Sequence, residues 1–394
     1  MRKITKITAL VLTLAMCAFT FAGCGKKNDA DTGKADTKTA NSDFKVGVIH
    51  IGDPADGSGY SYTHDVGIQE MQKELKLSDD QIVRKNNIPD TDAQATRTAI
   101  EECIEEGCKI IFATSFNYMD TVEELAAKYP DVIFSHGTGY KSNDKNFNNY
   151  FGRIYQARFL SGIAAGLKTQ TGKIGYVAAM GSDNAEVTGG IDAFAMGVAS
   201  VNPTAKVYVK VTNTWFSVEL EKQMAEALLD MQCDVIAQHC DTAQPQLAAQ
   251  ARGVWGCGYN SDMTKDAPKA HLTAPIWHWG VYYTKAVKEA MDGKWTNENY
   301  FGGMDDGLVD ISPLSDNCAE GTKEKIDAAR AMIKDGTFKV FEGKLMTFNG
   351  NEAVLTSADI TDNAGNVVCK ADEVLDDATI TGKINWYFNN VEVK

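Results

Sequence analysis

Short apolar runs alternate with segments of helical periodicity along most of this chain. Val46 to Ile51 is an apolar run that stops at glycine and proline, which is typical of a buried parallel strand. Residues 62–76 then carry apolar side chains at the spacing of one helix face. Because this strand–helix order repeats, we predict an α/β fold of parallel sheets with helices on both faces.

The predicted elements fall into two series of similar length. The first has strands at 46–51, 82–83, 109–113 and 132–135, and helices at 62–76, 92–107 and 119–128. The second has helices at 155–168, 186–200, 217–231 and 242–252, and strands at 173–178, 206–211, 235–237, 254–259 and 272–276. These strands are too many for one ordinary sheet, so we predict two doubly wound lobes. We place their boundary near Tyr150 to Arg153, after a predicted asparagine-rich turn at 146–149, and expect short strands and little helix in the tail 337–394.

The N-terminus has the parts of an export signal. Three basic residues precede an apolar stretch, Ala9 to Ala22, that is shorter than an ordinary transmembrane helix. Cys24 follows Ala22-Gly23 directly, and this arrangement resembles the lipobox of bacterial lipoproteins. We predict a signal peptide at 1–23, lipidation of Cys24 and a disordered polar linker to residue 43. The alternative is ordinary signal cleavage beside a bystander cysteine.

The net charge and the number of cysteines exclude several possible classes of function and structure. The whole chain has a net charge of −14, and loss of the three basic residues in 1–23 makes it −17. Such an acidic protein is a poor partner for nucleic acid or anionic lipid, so we expect membrane attachment through the lipid alone. Seven cysteines remain after Cys17 and Cys24, an odd number without a C-x-x-C pair, which argues against a disulfide framework and a zinc ribbon.

Enzyme and cofactor signatures are missing from the sequence. There is no G-x-S-x-G elbow, no H-E-x-x-H and no P-loop, and the six histidines are scattered. A nucleoside hydrolase would have several aspartates grouped after the first strand to bind calcium. Asp53 and Asp56 match this pattern only weakly. We therefore predict a protein that is not an enzyme and needs neither cofactor nor metal.

Ligands of open α/β sheets bind beyond the carboxyl ends of the strands. This rule selects loops 52–62, 114–120, 180–187, 212–217 and 238–243, with 259–263 and 275–280 from the later strands. The loops are rich in aromatic and polar side chains of the kind that hold a small planar ligand. Our candidate ligand-binding residues are Asp56, Tyr60, Phe116, Trp215, Asp241, Asn260 and Trp277.

The candidates have different expected roles. Tyr60 and Trp215 offer stacking faces and Phe116 a pocket edge. Asp241 can accept hydrogen bonds from a ligand N–H or cap the next helix. Asn260 presents a donor and an acceptor together, although it also suits a turn.

Two further candidates have open alternatives. Asp56 either contacts ligand or shapes its glycine-rich loop. Trp277 closes one wall of the cleft, whereas His278 and Trp279 are expected at the hinge. His239 is expected to line the wall rather than bind metal.

Several segments resemble the BMP (basic membrane protein) family of lipoproteins over residues 44–390. The segments that carry this resemblance are 46–49, 56–65, 112–116, 128–132, 136–140, 155–162, 213–216, 258–263 and 384–387. The resemblance implies a type I periplasmic-binding fold with three crossovers, near 150–153, 275–280 and 300–310. It implies lobes of 44–152 plus 277–305 and of 153–276 plus 306–394. It also implies a monomeric receptor that delivers purines to the permease of an ABC importer.

Two departures from the family pattern bear on the ligand. Nucleoside-binding members usually have Asp at the position of Asn260 and a Lys near Trp277. An amide accepts hydrogen bonds from a ribose diol less well than a carboxylate, and an indole fills the space of a sugar. We therefore favour a free nucleobase such as adenine. The alternatives are a purine nucleoside receptor, or a sugar-binding or signalling lipoprotein of the same fold.

Overall fold

A computed structural model describes residues 43–394. The predicted signal peptide, Cys24 and almost all of the linker lie outside the described residues. Within 43–394, no helix combines the length and the apolar character that a membrane crossing requires.

The chain alternates strands and helices up to about residue 334 and then continues mainly in short strands. The strands are β1 Lys45–Ile49, β2 Ile82–Lys85, β3 Cys108–Ala113, β4 Ile133–Gly137, β5 Phe147–Gly152, β6 Lys173–Ala178, β7 Lys206–Val211, β8 Val235–His239, β9 Trp255–Cys257, β10 His271–Thr273, β11 Pro275–Trp277, β12 Tyr300–Gly302, β13 Val309–Ile311, β14 Lys344–Asn349, β15 Glu352–Ser357, β16 Ile360–Thr361, β17 Val367–Cys369 and β18 Val391–Val393. The helices are α1 Gly59–Leu75, α2 Ala93–Glu105, α3 Met119–Lys128, α4 Ile154–Lys168, α5 Ala185–Val201, α6 Val218–Asp230, α7 Gln244–Ala251, α8 Trp279–Met291, α9 Thr322–Lys334 and α10 Asp377–Gly382.

Two six-stranded sheets form the centres of two lobes. The first sheet has the order β12-β5-β4-β3-β1-β2 and the second β10-β9-β8-β6-β7-β18, and all neighbours in both are parallel. The predicted α/β fold of two doubly wound, parallel-sheet lobes is thus confirmed. Central strands such as β1 and β6 are buried along nearly their whole length, which explains their continuous apolar sequence.

The chain passes between the lobes three times. It leaves the first sheet after Gly152, returns between Trp277 and α8, and leaves again after β12. Late segments complete both sheets, because β12 adds an edge to β5 and β18 adds an edge to β7. The carboxyl ends of β1, β3, β6, β8 and β9 carry the loops in which ligands of such folds bind.

Some local predictions were wrong. Residues 147–149 belong to β5 rather than to a turn: the Asn148 side chain is buried and donates to the Tyr282 hydroxyl at 3.0 Å. The predicted strand 272–276 is two short strands, since β10 pairs with β9 whereas β11 pairs antiparallel with β13. Helices α8 and α9 were not predicted.

The cysteines of the described part are all free. Six are buried, and Cys318 is half-buried. Burial raises the pKa of Cys233 to about 12, which keeps this thiol protonated. These side chains therefore act as small apolar core residues.

Candidate ligand site between the lobes

The two lobes touch where the first turn of α1 meets the loops after β8 and β9. The Gly59 N–H donates to the Ser261 hydroxyl at 3.1 Å. Gly59 has a φ of +84°, and a Cβ at this position would lie 2.5 Å from the carbonyl oxygen of Asp241. Both the backbone conformation and the close approach therefore require glycine. The structure has its lobes closed at this point.

A hydrogen-bonded pair of polar side chains lies beside this contact. Asn260 Nδ2 donates to Asp241 Oδ1 at 2.9 Å, and both residues are buried. Asn260 adopts the left-handed region with a φ of +68°, which asparagine tolerates better than most residues. Its Oδ1 has no hydrogen-bond partner among residues 43–394. A buried oxygen without a hydrogen-bond partner can accept a hydrogen bond from a ligand.

The charge state of Asp241 is unusual. Burial raises the pKa of its carboxyl to about 8, and the negative charge of Glu221 adds to the rise. Asp241 is therefore mostly protonated at neutral pH and offers a donor as well as acceptors. It does not cap α7, because that helix begins after Ala243.

Tyr60 and Trp215 approach Asp241 from opposite lobes. Tyr60 follows Gly59 in α1, and its hydroxyl donates to the Thr114 carbonyl at the end of β3. The Trp215 carbonyl accepts from the Asp241 N–H at 2.9 Å, and its indole is half-buried. The predicted stacking residues thus lie beside the polar pair, one in each lobe.

Trp277 belongs to a stack of three rings at the hinge. Its indole lies parallel to Trp279 with 4.4 Å between centroids, and Trp279 lies parallel to His64 at 4.5 Å. Trp277 is buried, and its Nε1 has no hydrogen-bond partner in the described part of the chain. Ile276, which precedes Trp277 in the chain, forms an isolated bridge with Asn260. Trp277 therefore occupies the hinge side of the Asn260 backbone.

Asp56 and Phe116 are exposed and make none of these contacts. Asp56 lies in a short 3₁₀ turn, and its N–H donates to the Asp53 carbonyl. Phe116 is 47% exposed, and its ring lies 6.2 Å from that of Tyr140.

Sequence reasoning missed two charged residues beside His239, of which one is buried and the other half-buried. Arg158 of α4 and Glu186 of α5 flank His239, whose ring lies 5.7 Å from that of Trp215. Glu186 lies in loop segment 180–187, which the strand-end rule had selected. Arg158 gave no such signal, because it lies in the middle of a helix with apolar neighbours.

Comparison with known proteins identifies the family. A sequence model of the Bmp family, described as ABC transporter substrate-binding protein PnrA-like, matches residues 44–341. The chain belongs to this family. The Bmp family consists of solute-binding proteins rather than enzymes, as the sequence predicted. The partners of an ABC transporter substrate-binding protein are a small-molecule ligand and permease subunits.

Individual relatives differ in the ligand that their names give. A purine-binding protein of Brucella abortus is 35% identical over 355 residues, covering 90% of this chain and 95% of the relative. A Haloferax volcanii protein described as an ABC transporter glucose-binding protein is 32% identical over 320 residues, covering 81% and 78%. A solved ABC transporter solute-binding protein from Conexibacter woesei has a TM-score of 0.60 at 16% identity, covering 78% of this chain and 99% of that one, and this likeness concerns the fold.

Proposed function

We propose that this Bmp-family protein is a receptor for a purine, with a free nucleobase such as adenine as its preferred ligand. The observation that carries the proposal is the buried Asp241–Asn260 pair between the lobes, with its unpartnered amide oxygen. A neutral carboxyl and an amide oxygen together offer one donor and several acceptors. The edge of a purine has the complementary donors and acceptors within one rigid plane.

The aromatic residues on either side support a flat ligand. Tyr60 from the first lobe and Trp215 from the second can each contribute a stacking face. Stacking of a base on an aromatic ring contributes about 1–3 kcal/mol. The purine-binding relative from Brucella abortus, similar over nearly its whole length, favours the same ligand class.

A free base is favoured over a nucleoside by the contacts of Asn260 and Trp277. Asn260 has one acceptor oxygen, and its N–H₂ donates to Asp241. It therefore lacks the two acceptor oxygens with which a carboxylate binds a ribose diol. Trp277 is 4% exposed and stacked against Trp279, so its indole takes up volume beside Asn260.

Binding measurements test the proposal directly. The purified protein, unfolded and refolded to remove carried ligand, is titrated calorimetrically with adenine, hypoxanthine, adenosine and glucose. We expect binding of a free base and an affinity loss of about 5- to 150-fold in Trp215→Ala, which corresponds to the stacking energy. The matched control is Trp255→Phe, at a half-buried position whose ring contacts Lys168 instead. Binding of nucleosides alone would overturn the base preference, and binding of glucose alone would overturn the purine proposal.

We further propose that the protein is a monomer anchored by lipid at Cys24 on the outer face of the cytoplasmic membrane. Its lobes would be 44–152 plus 277–305 and 153–276 plus 306–394. The Cys24 position after Ala22-Gly23 supports the anchor. Mass spectrometry of the membrane fraction should find a diacylated Cys24 as the first residue, and Cys24→Ala should release the protein from that fraction.

A further inference from the structure

A second group of polar side chains, two buried and one half-buried, lies in the second lobe near Trp215. It consists of Arg158 from α4, Glu186 from the first turn of α5 and His239, the last residue of β8. Arg158 is 1% and His239 0% exposed. Within residues 43–394, Arg158 Nε and Nη2 and His239 Nδ1 have no hydrogen-bond partner, whereas Glu186 Oε1 and His239 Nε2 face each other. Buried polar atoms are nearly always paired, so this concentration of unpaired atoms marks a place where a ligand can supply the partners.

Local structure fixes the three side chains. Asn184 caps α5 by accepting from the Val187 N–H at 3.0 Å, which sets Glu186 in the first turn. Arg158 Nη1 donates to the Tyr176 hydroxyl at 2.8 Å, and its guanidinium lies 4.0 Å from the ring centre of Tyr259.

Gly190 permits this packing. A Cβ at Gly190 would lie 2.9 Å from both Arg158 Nε and His239 Cε1, so α5 can approach the group only with glycine here. The Asn184 cap, the contacts of Arg158 and the close approach at Gly190 therefore hold the three side chains in place before any ligand binds.

The charges of the group are defined by its surroundings. Burial and, to a smaller extent, the positive charge of Arg158 lower the pKa of His239 to about 4, so the imidazole is neutral. Burial by itself would raise the pKa of Glu186, but His239 and Arg158 outweigh it and hold that pKa below its usual value. Glu186 Oε1 lies 3.2 Å from His239 Nε2. At neutral pH the single N–H of the imidazole therefore lies on Nε2 and donates to the Glu186 carboxylate, which leaves His239 Nδ1 as an acceptor.

The group adjoins the candidate site rather than a separate cavity. His239 precedes Asp241 by two residues, and its ring lies 5.7 Å from that of Trp215 and 4.9 Å from that of Tyr259. Glu186 follows β6, whose neighbour in the sheet is β8. A planar ligand stacked on Trp215 can therefore turn one edge toward Asp241 and Asn260 and another toward Glu186 and His239.

We propose that Glu186 and His239 bind the amino edge of a 6-aminopurine and make the receptor discriminate against 6-oxopurines. This inference rests on the proposed function. The exocyclic amine has two N–H groups, which donate to the Glu186 carboxylate and to His239 Nδ1. A 6-oxopurine has a carbonyl oxygen in place of the amine, so two acceptors face each other and the carboxylate loses its donor. Arg158 is a positioning residue that keeps the pair in this charge state.

Calorimetric titration of the wild-type protein and Glu186→Gln with adenine, hypoxanthine and unsubstituted purine tests the proposal. We expect wild type to bind adenine at least about 100-fold more tightly than hypoxanthine, because a buried unpaired polar group is costly. Glu186→Gln should reduce this ratio below about 10-fold, since an amide can donate to the 6-oxo oxygen. Asp192→Asn is the matched control, because it changes a buried carboxyl of the same helix whose Oδ1 accepts from the Phe388 N–H. That variant should keep the wild-type ratio.

The outcomes separate the two proposals. An unchanged adenine-to-hypoxanthine ratio in Glu186→Gln overturns the role of Glu186 while leaving purine binding intact. If that variant fails to fold, wild type alone decides: unsubstituted purine should bind at least about 10-fold more weakly than adenine, and equal binding would overturn the inference. Absence of binding to every purine by folded wild type would overturn the proposed function and this inference together.

Discussion

At the scale of single residues, Gly59 controls how closely the lobes can approach. A methyl group there would lie 2.5 Å from the Asp241 carbonyl, and the φ of +84° is unfavourable for other residues. We expect Gly59→Ala to weaken ligand binding at least about 10-fold, because the closed state that holds the ligand loses its fit. Titration of the variant with the ligand of wild type measures this loss.

Gly57 provides the control for that substitution. It has a similar φ of +78°, but a Cβ there would meet no heavy atom within 4 Å. Gly57→Ala therefore carries the backbone strain without the steric contact. Equal affinities of the two variants would show that Gly59 acts through its backbone conformation and not through lobe closure.

Asp241 makes stability depend on pH in a direction opposite to that of most carboxyl groups. Its pKa is about 8 in the folded protein and 3.8 in its ordinary state, so the folded protein retains a proton that the unfolded chain loses. Its contribution to stability is complete below pH 4 and disappears as pH rises to 8, by at most about 1.4 kcal/mol per pH unit. Urea denaturation of Asp241→Asn should show a smaller loss of unfolding free energy between pH 5 and 8 than wild type. The same pH profile in Asp241→Asn and wild type would contradict this, and the exposed Asp56→Asn serves as control.

A site residue could be predicted from the sequence when it lies in a loop at the end of a strand. Tyr60, Trp215, Asp241 and Asn260 follow strand ends, so the topological rule selected them and the structure brings them together. Arg158 could not be found in this way, because a buried arginine inside a helix contributes through tertiary contacts that have no local pattern.

At the scale of elements, the closing strand β18 is bound to the second lobe by buried polar contacts as well as by its ladder. The Phe388 N–H donates to Asp192 Oδ1 at 2.7 Å, and Asn390 Nδ2 donates to the Ala195 carbonyl at 3.1 Å. Burial raises the pKa of Asp192 well above its usual value. Removal of this segment would leave a buried carboxyl without its donor and β7 as a sheet edge.

Deletion of residues 388–394 should therefore destabilise the protein. We expect a loss of at least about 2 kcal/mol in the free energy of unfolding, from the unpaired polar groups and the exposed apolar surface under Val391. The midpoint of urea denaturation measures it, with deletion of Lys394 alone as control. A midpoint equal to that of the control would mean that β18 is dispensable.

The elements show where periodicity is informative. Strands β6 and β7 and helix α3 have the predicted bounds, because each is a well-bounded apolar run or helical face. Helix α8 also has a helical pattern, with Trp279, Tyr282, Tyr283, Ala286 and Val287 all buried. It was not predicted, because Trp279 was expected to belong to the hinge. Residues 147–149 form a strand despite two asparagines, because Asn148 finds partners in α8 and in the Glu298 carbonyl that a local rule cannot see.

At the scale of the whole molecule, Arg153 joins the hinge to the C-terminal tail. Its Nε and Nη2 donate to the Asp377 carboxylate at 3.0 and 2.7 Å, and its Nη1 donates to the Phe301 carbonyl of β12 at 3.1 Å. The Tyr155 hydroxyl donates to the same carboxylate at 3.0 Å. One guanidinium therefore links an edge strand of the first lobe to helix α10 of the second. This link lies at the first crossover, where relative lobe movement is concentrated.

Loss of the link should favour more open arrangements of the lobes. In Asp377→Ala the arginine keeps its contact with β12 but no longer ties it to α10, so the closed form loses a contact between lobes. Because apparent affinity scales with the fraction of molecules able to close, we expect ligand affinity to fall about 3- to 10-fold. Small-angle scattering of the ligand-free variant should give a larger radius of gyration than wild type. Asp335→Ala, which removes an exposed carboxylate that caps Thr337 in the same groove, is the control. If both variants keep the wild-type radius and affinity, the Arg153–Asp377 pair fastens the tail without influencing closure.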